Sequence, residues 1–149
     1  MKVKSLNQLE MHPRFLQLHD PFAPKVIKDD GTEGDYIRPM DKEHLMVGPD
    51  NKPLGFMIVP YKSRQMREAA LQRQRTLMRA KPDELADPAF KMNLDIDLVA
   101  ASIVGWSHDD VFGPYTPERA KEIIGDGSRS FLSNQIETFI VEEKNFFGV

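Results

Sequence analysis

The stretch Leu98-Val99-Ala100-Ala101-Ser102-Ile103-Val104-Gly105-Trp106 is apolar nearly all the way round, and its reading decides the architecture of the whole chain. Such a run fits a buried helix or a buried strand, and periodicity alone does not separate the two. Just upstream, Phe90 to Asp97 alternates apolar and polar residues with a period of two, the spacing of a half-buried strand. Asp87-Pro88 argues the other way, because aspartate is a good N-cap and proline is tolerated at the first helical position. We therefore read Phe90 to Trp106 as one buried helix, with a strand as the alternative.

The segments on either side carry clearer signals. Ser63 can cap a helix running through Arg64 to Ala80, a span with neither glycine nor proline. Its apolar positions, Met66, Ala69, Ala70, Leu77 and Ala80, form a narrow stripe interrupted by Arg73, so part of the circumference is left for water or a partner. Lys81-Pro82 ends this helix. Thr116-Pro117-Glu118 starts another, through Ile124, which Gly125 terminates. Ser128 or Ser130 can cap a last helix with Phe131, Leu132, Ile136, Phe139 and Ile140 at helical spacing. Phe146 and Phe147 follow, and either fold back on the core or dock elsewhere.

Before Ser63 the character differs. Seven of the eleven prolines lie within the first sixty residues, separating short extended candidates: Phe15 to Leu18, Tyr36-Ile37, Leu45 to Val47 and Leu54 to Val59. Asp29-Asp30-Gly31 and Gly48-Pro49-Asp50-Asn51-Lys52-Pro53 have the residues that turns demand. The expected fold is α+β: a small N-terminal antiparallel β region, then a mainly helical C-terminal part of about four helices. The expected organisation is a single domain over 1–149, β-rich and loop-rich over 1–60 and helical over 61–149.

A hydrophobic fraction of 40% with 29% charged residues is that of a globular protein. With no cysteine, disulfides, thiolate metal sites and cysteine nucleophiles are excluded. No run reaches the roughly 20 apolar residues of a membrane span, and Met1 to Glu10 lacks the apolar core of a signal peptide. The net charge of -3 hides an asymmetry. Tyr61 to Lys81 contains seven bases and one acid, a local charge of +6, so the remainder carries -9. Such a dipolar chain orients toward a charged partner or toward its own neighbour.

Signals for chemistry are weak. Trp106-Ser107-His108-Asp109-Asp110 has no second histidine at helical spacing, since His12, His19 and His44 lie in the β-rich half, and it reads as a solvated loop ending a helix. No serine sits in a glycine-rich elbow, the carboxylate pairs Asp95/Asp97 and Asp109/Asp110 stand alone, and the glycines form no phosphate-cradling loop. We expect a non-catalytic protein with no cofactor and no metal. The candidate partner-binding residues are Arg64, Arg67, Arg73, Arg75 and Arg79 on the basic helix, with Phe146 and Phe147 as a hydrophobic plug. Nucleic acid weighs less than protein as the partner of that helix, because the chain is acidic overall and its aromatics do not interleave with the bases.

Three stretches together carry a resemblance. They are Gly55 to Val59 leading into the Ser63–Met78 helix after His19-Asp20-Pro21-Phe22-Ala23-Pro24; Leu98 to Ser107; and Pro114-Tyr115-Thr116-Pro117-Glu118-Arg119-Ala120 with the closing Ile136, Phe139, Ile140 and Asn145-Phe146-Phe147. In this order they resemble the tail assembly chaperones of long-tailed bacteriophages. The resemblance implies a non-catalytic protein of the host cytoplasm that binds the tape measure protein, keeps it soluble, helps recruit the tail tube protein and works as a homo-oligomer. The long β-rich lead departs from a purely helical chaperone, and a virion structural or head-tail component is the other reading.

Overall fold

The computed structural model describes residues 12–21, 44–141 and 146. The expected features at Tyr36-Ile37, Asp29-Asp30-Gly31 and Phe147 lie outside them.

Three short strands form one antiparallel sheet in the order β1 (Arg14–Gln17), β2 (Gly55–Ile58) and β3 (Ile103–Trp106). β1 and β2 pair in the register Arg14 to Ile58 and Leu16 to Phe56. On the other edge Phe56 faces Trp106 and Ile58 faces Ile103, with an irregularity between Met57 and Ile58. The alternation follows from the pleat: Leu16, Phe56, Ile58 and Ile103 point into the core, whereas Phe15 and Met57 are 38% and 36% exposed. Gly55 is required at the start of β2, because a Cβ there would lie 1.9 Å from the carbonyl oxygen of Leu16. Leu45 and Val47 do not form a further strand; they make isolated bridges to His19 and Pro53.

Among the described residues six helices follow: α1 (Arg64–Arg79), α2 (Pro82–Ala86), α3 (Pro88–Ala101), α4 (Asp109–Phe112), α5 (Pro117–Gly125) and α6 (Ser130–Val141). The fold is thus α+β, with four helices of nine residues or more and two short ones. The caps form as their residue types dictate. Ser63 Oγ accepts from the Met66 N–H at 3.2 Å, Asp87 from Ala89 at 3.0 Å and Thr116 from Arg119 at 3.0 Å. One cap differs from expectation. Asp126, rather than Ser128 or Ser130, accepts from the Ser128 N–H at 3.0 Å and leads into α6 through a 3₁₀ turn at Gly127–Arg129.

The stretch from Phe90 to Trp106, expected to be one buried helix, is neither one helix nor buried throughout: Lys91, Met92, Asn93, Asp95 and Asp97 are exposed. α3 ends at Ala101, and the sheet takes over two residues later. At the junction Ser102 is fully buried; its hydroxyl donates to the Val99 carbonyl at 2.6 Å, and its own carbonyl accepts from the Val59 N–H at 2.9 Å. A serine hydroxyl competing for backbone acceptors loosens a helix end, and the β-branched pair Ile103-Val104 fits a pleated surface. The open edge of β2 then supplies the ladder. Over Phe90–Asp97 the Asp87-Pro88 start prevails against the period-two pattern. The helical part therefore also contributes the third strand.

Behind the sheet, α3, α5 and α6 bury Val99, Ala100, Ala120, Ile123, Ile124, Leu132, Ile136 and Ile140. Aromatic rings close one end. Phe56 and Phe112 have centroids 4.9 Å apart, and Trp106 lies 4.9 Å from Tyr115 in an edge-on contact. Both polar tips are satisfied, as buried aromatics with such groups require: Trp106 Nε1 donates to the Gly113 carbonyl at 2.8 Å and Tyr115 to the Ile103 carbonyl at 2.7 Å. Among the described residues no helix is long and apolar enough to cross a membrane.

Candidate partner-binding groove

α1 uses its narrow stripe as its sequence requires. Met66 alone is fully buried, while Ala69, Arg73, Thr76 and Leu77 are half-covered. Between α1 on one side and α3, β3 and α5 on the other lies a groove of about 410 Å³, within the usual range of roughly 300–1,000 Å³ for ligand sites. Its floor is apolar, with Ala69, Leu94, Leu98, Ala101, Val104 and Tyr115. Charged groups stand along its sides. Arg73 Nη2 donates to Asp95 Oδ1 at 2.7 Å, and Lys121 Nζ lies 3.7 Å from Asp97 Oδ1. Arg73 Nε is buried and has no hydrogen-bond partner among the described residues. Burial raises the Tyr115 phenol above its ordinary value, with the Glu118 carboxylate adding to the effect, so it stays a neutral donor at physiological pH.

A smaller depression of about 160 Å³ lies on the other flank of Leu98, lined by Tyr61, Met66, Val99, Ile140 and Val141 with Asp95 and Glu137. Leu98 is the wall that both share.

The five candidate arginines do not form one patch. Arg73 turns inward to the groove. Arg64, Arg67 and Arg75 point to the opposite side of α1 with Leu71 and Met78, since positions 64, 67, 71, 75 and 78 share one face at helical spacing, and Arg79 lies on its flank. All six of these outward residues are exposed, and Arg64 is held by Glu68 at 3.0 Å. Phe146 is not a surface plug. It is fully buried with its ring 5.3 Å from that of Phe139, and its carbonyl accepts from the His12 N–H at 2.8 Å. A core that had to be closed at the open side of α6 claims this ring.

The loop expected at Trp106 to Asp110 needs a larger correction. It ends a strand, not a helix, and His108 is only 5% exposed. His108 Nδ1 lies 2.6 Å from Ser107 Oγ and Nε2 lies 2.7 Å from Asp50 Oδ1. Ser107 Oγ also accepts from the Gly55 N–H at 3.1 Å. The tautomer with its proton on Nε2 satisfies both contacts, donating to Asp50 and accepting from the Ser107 hydroxyl on Nδ1. The bond from His108 and that from the Lys52 N–H hold the Asp50 carboxyl below its ordinary value. Gly48 presses on the ring, where a Cβ would meet Nε2 at 2.2 Å.

A serine, a histidine and an aspartate in hydrogen-bonded sequence have the connectivity of a nucleophile, a base and its orienting acid. Here, however, neither depression described above is lined by any of the three. What the arrangement does is fasten the Gly48–Lys52 turn to the end of β3. Only the chain-distant Asp50 makes sense of His108, and nothing in the local sequence joins them. No group of three or more potential metal ligands occurs among the described residues.

Comparison with models of known protein families, with curated proteins and with solved structures gave no match.

Proposed function

We propose that the chain is a non-catalytic client-binding protein of phage tail assembly, which takes apolar side chains of a helical segment of the tape measure protein into the groove beside α1. The observation that carries the binding reading is the groove itself, an apolar floor with charged groups at its sides. Helix-in-groove recognition uses this chemistry, with apolar anchors for affinity and charged rims for orientation. A volume of about 410 Å³ accommodates a few anchor side chains rather than a whole helix, so the client lies across the groove and inserts them. Arg73 and Lys121, each beside a carboxylate, make the charged rim that orients the client.

The assignment to tail assembly rests on the resemblance at Leu98–Ser107, Pro114–Ala120 and Asn145-Phe146-Phe147. The experiment is co-expression with the tape measure protein and, separately, the tail tube protein of the same genome, followed by affinity capture, sizing and mass spectrometry of purified particles. The expected result is a soluble complex with the tape measure protein and absence of the chain from finished particles. Recovery of the chain in particles with no such complex makes it a virion component instead.

A further inference from the structure

The outward face of α1 is unused by the groove, and its content is specific. Arg67, Arg75 and Arg79 make no ion pair among the described residues, and Leu71 and Met78 beside them are 47% and 79% exposed. The complementary set lies on the same chain. Residues 82–97 hold five acids (Asp83, Glu84, Asp87, Asp95, Asp97) and one base (Lys91), so 1 - 5 = -4. Asp95 and Asp97 are taken by Arg73 and Lys121. Asp83, Glu84 and Asp87 are exposed, and their carboxylates do no more than bond to backbone N–H groups: Glu84 to Lys81 and Asp87 to Ala89. Leu85 and Met92 are the exposed large hydrophobic residues of that segment.

Three cations with two large apolar side chains on the outer side of α1 thus find their complement in the largely exposed Asp83–Met92 segment, which carries three anions against one cation, Lys91, and two large apolar side chains. We infer that the outward face of α1 docks on the Asp83–Met92 segment of a second copy of this chain. The inner charges are neutralised within the molecule while these outer ones are not, which leaves them for an intermolecular pairing. Exposed apolar residues inside opposite-charge rims give such a contact its affinity, and the charges give it register.

Sedimentation velocity of the full chain at low and at high salt tests this directly. The expected result is self-association at micromolar concentration that weakens at least tenfold between 50 mM and 500 mM salt, because the charged rim is screened. R67E/R75E and D83K/E84K should each be monomeric, and an equimolar mixture of the two should associate again, since each then offers the other a matched surface. L71S/M78S leaves the charges unchanged and should also weaken association. All substituted positions are exposed, so circular dichroism melts like that of wild type are expected for R67E/R75E and L71S/M78S, whereas D83K/E84K also loses the Glu84 cap on the Lys81 N–H and should melt slightly lower while staying folded. A monomeric wild-type chain, reversed variants that associate like wild type, or a mixture that stays monomeric overturns the inference. Client capture is read separately, so failure here leaves the groove reading standing.

Discussion

α1 and the junction around Ser102 are opposites in what holds them. α1 is specified by its own residues, with a Ser63 cap, strong helix formers and a proline just past its end, yet it contributes only Met66 to the fully buried core. The junction from α3 to β3 has ambiguous residues but supplies Val99, Ala100, Ser102 and Ile103 to the interior. Local signals suffice where an element stands at the edge. In the middle, the edge of β2 decides, and it lies more than forty residues away in sequence.

The sharpest way to break this comparison is to empty one side of it. Phe56→Ala, at a fully buried ring, should destabilise the fold by about 3–5 kcal/mol in urea unfolding. Leu71→Ala on the outward face of α1 should stay within about 0.5 kcal/mol. Comparable losses from both would mean that α1 is as integral as the sheet.

The His108 clasp comes next. Gly48→Ala forces a Cβ onto an imidazole pinned by Ser107 and Asp50, and overpacking of this kind costs about 1–3 kcal/mol. The expected signature is a lower melting temperature with altered His108 ring signals in NMR. An unchanged melt would mean that the turn moves aside at no cost.

Most of the fold class is legible in the residues themselves, because caps and prolines are local chemistry. Ser63, Asp87-Pro88 and Thr116-Pro117 place three helix starts correctly, and Leu54 to Val59 contains β2. The β3 strand is not legible, since Leu98 to Trp106 suits helix or strand until the β2 edge is present. Of the site, the basic helix is legible but its division into an inward Arg73 and an outward Arg67, Arg75 pair emerges only once the packing face is known. His108 is hidden for a different reason: its partner Asp50 is distant in sequence, and its neighbours Asp109 and Asp110 are those of a solvated loop.

Cap removal sharpens the comparison on a smaller scale. Ser63→Ala and Thr116→Ala each delete one side-chain acceptor and should cost about 1 kcal/mol of helix stability. Amide exchange should show the Ser63 variant loosening α1 alone, while the Thr116 variant, whose helix buries Ala120, Ile123 and Ile124, should lower protection across the core. If both losses spread equally, α1 is coupled to the core more tightly than its burial implies.

The smallest effect concerns pH. Burial pushes the His19 imidazole below its ordinary value of 6.5, more than the Asp20 carboxylate raises it. The unfolded chain therefore binds the proton more readily than the folded one, and stability rises with pH. This contribution is complete above pH 6.5 and declines as pH falls below that value toward the folded-state pKa. Urea midpoints at pH 7.5 and 5.5 should show the decline in wild type and a shallower one in His19→Gln. Identical slopes would remove His19 from the account.

The most direct test of the groove as client site is the binding of the purified chain and of Ala69→Trp to the tape measure protein, followed by affinity capture with circular dichroism as a folding control. Ala69 lines the groove from α1, and a tryptophan there fills it. The account predicts a folded variant that no longer holds the client, whereas equal capture by wild type and variant would contradict it.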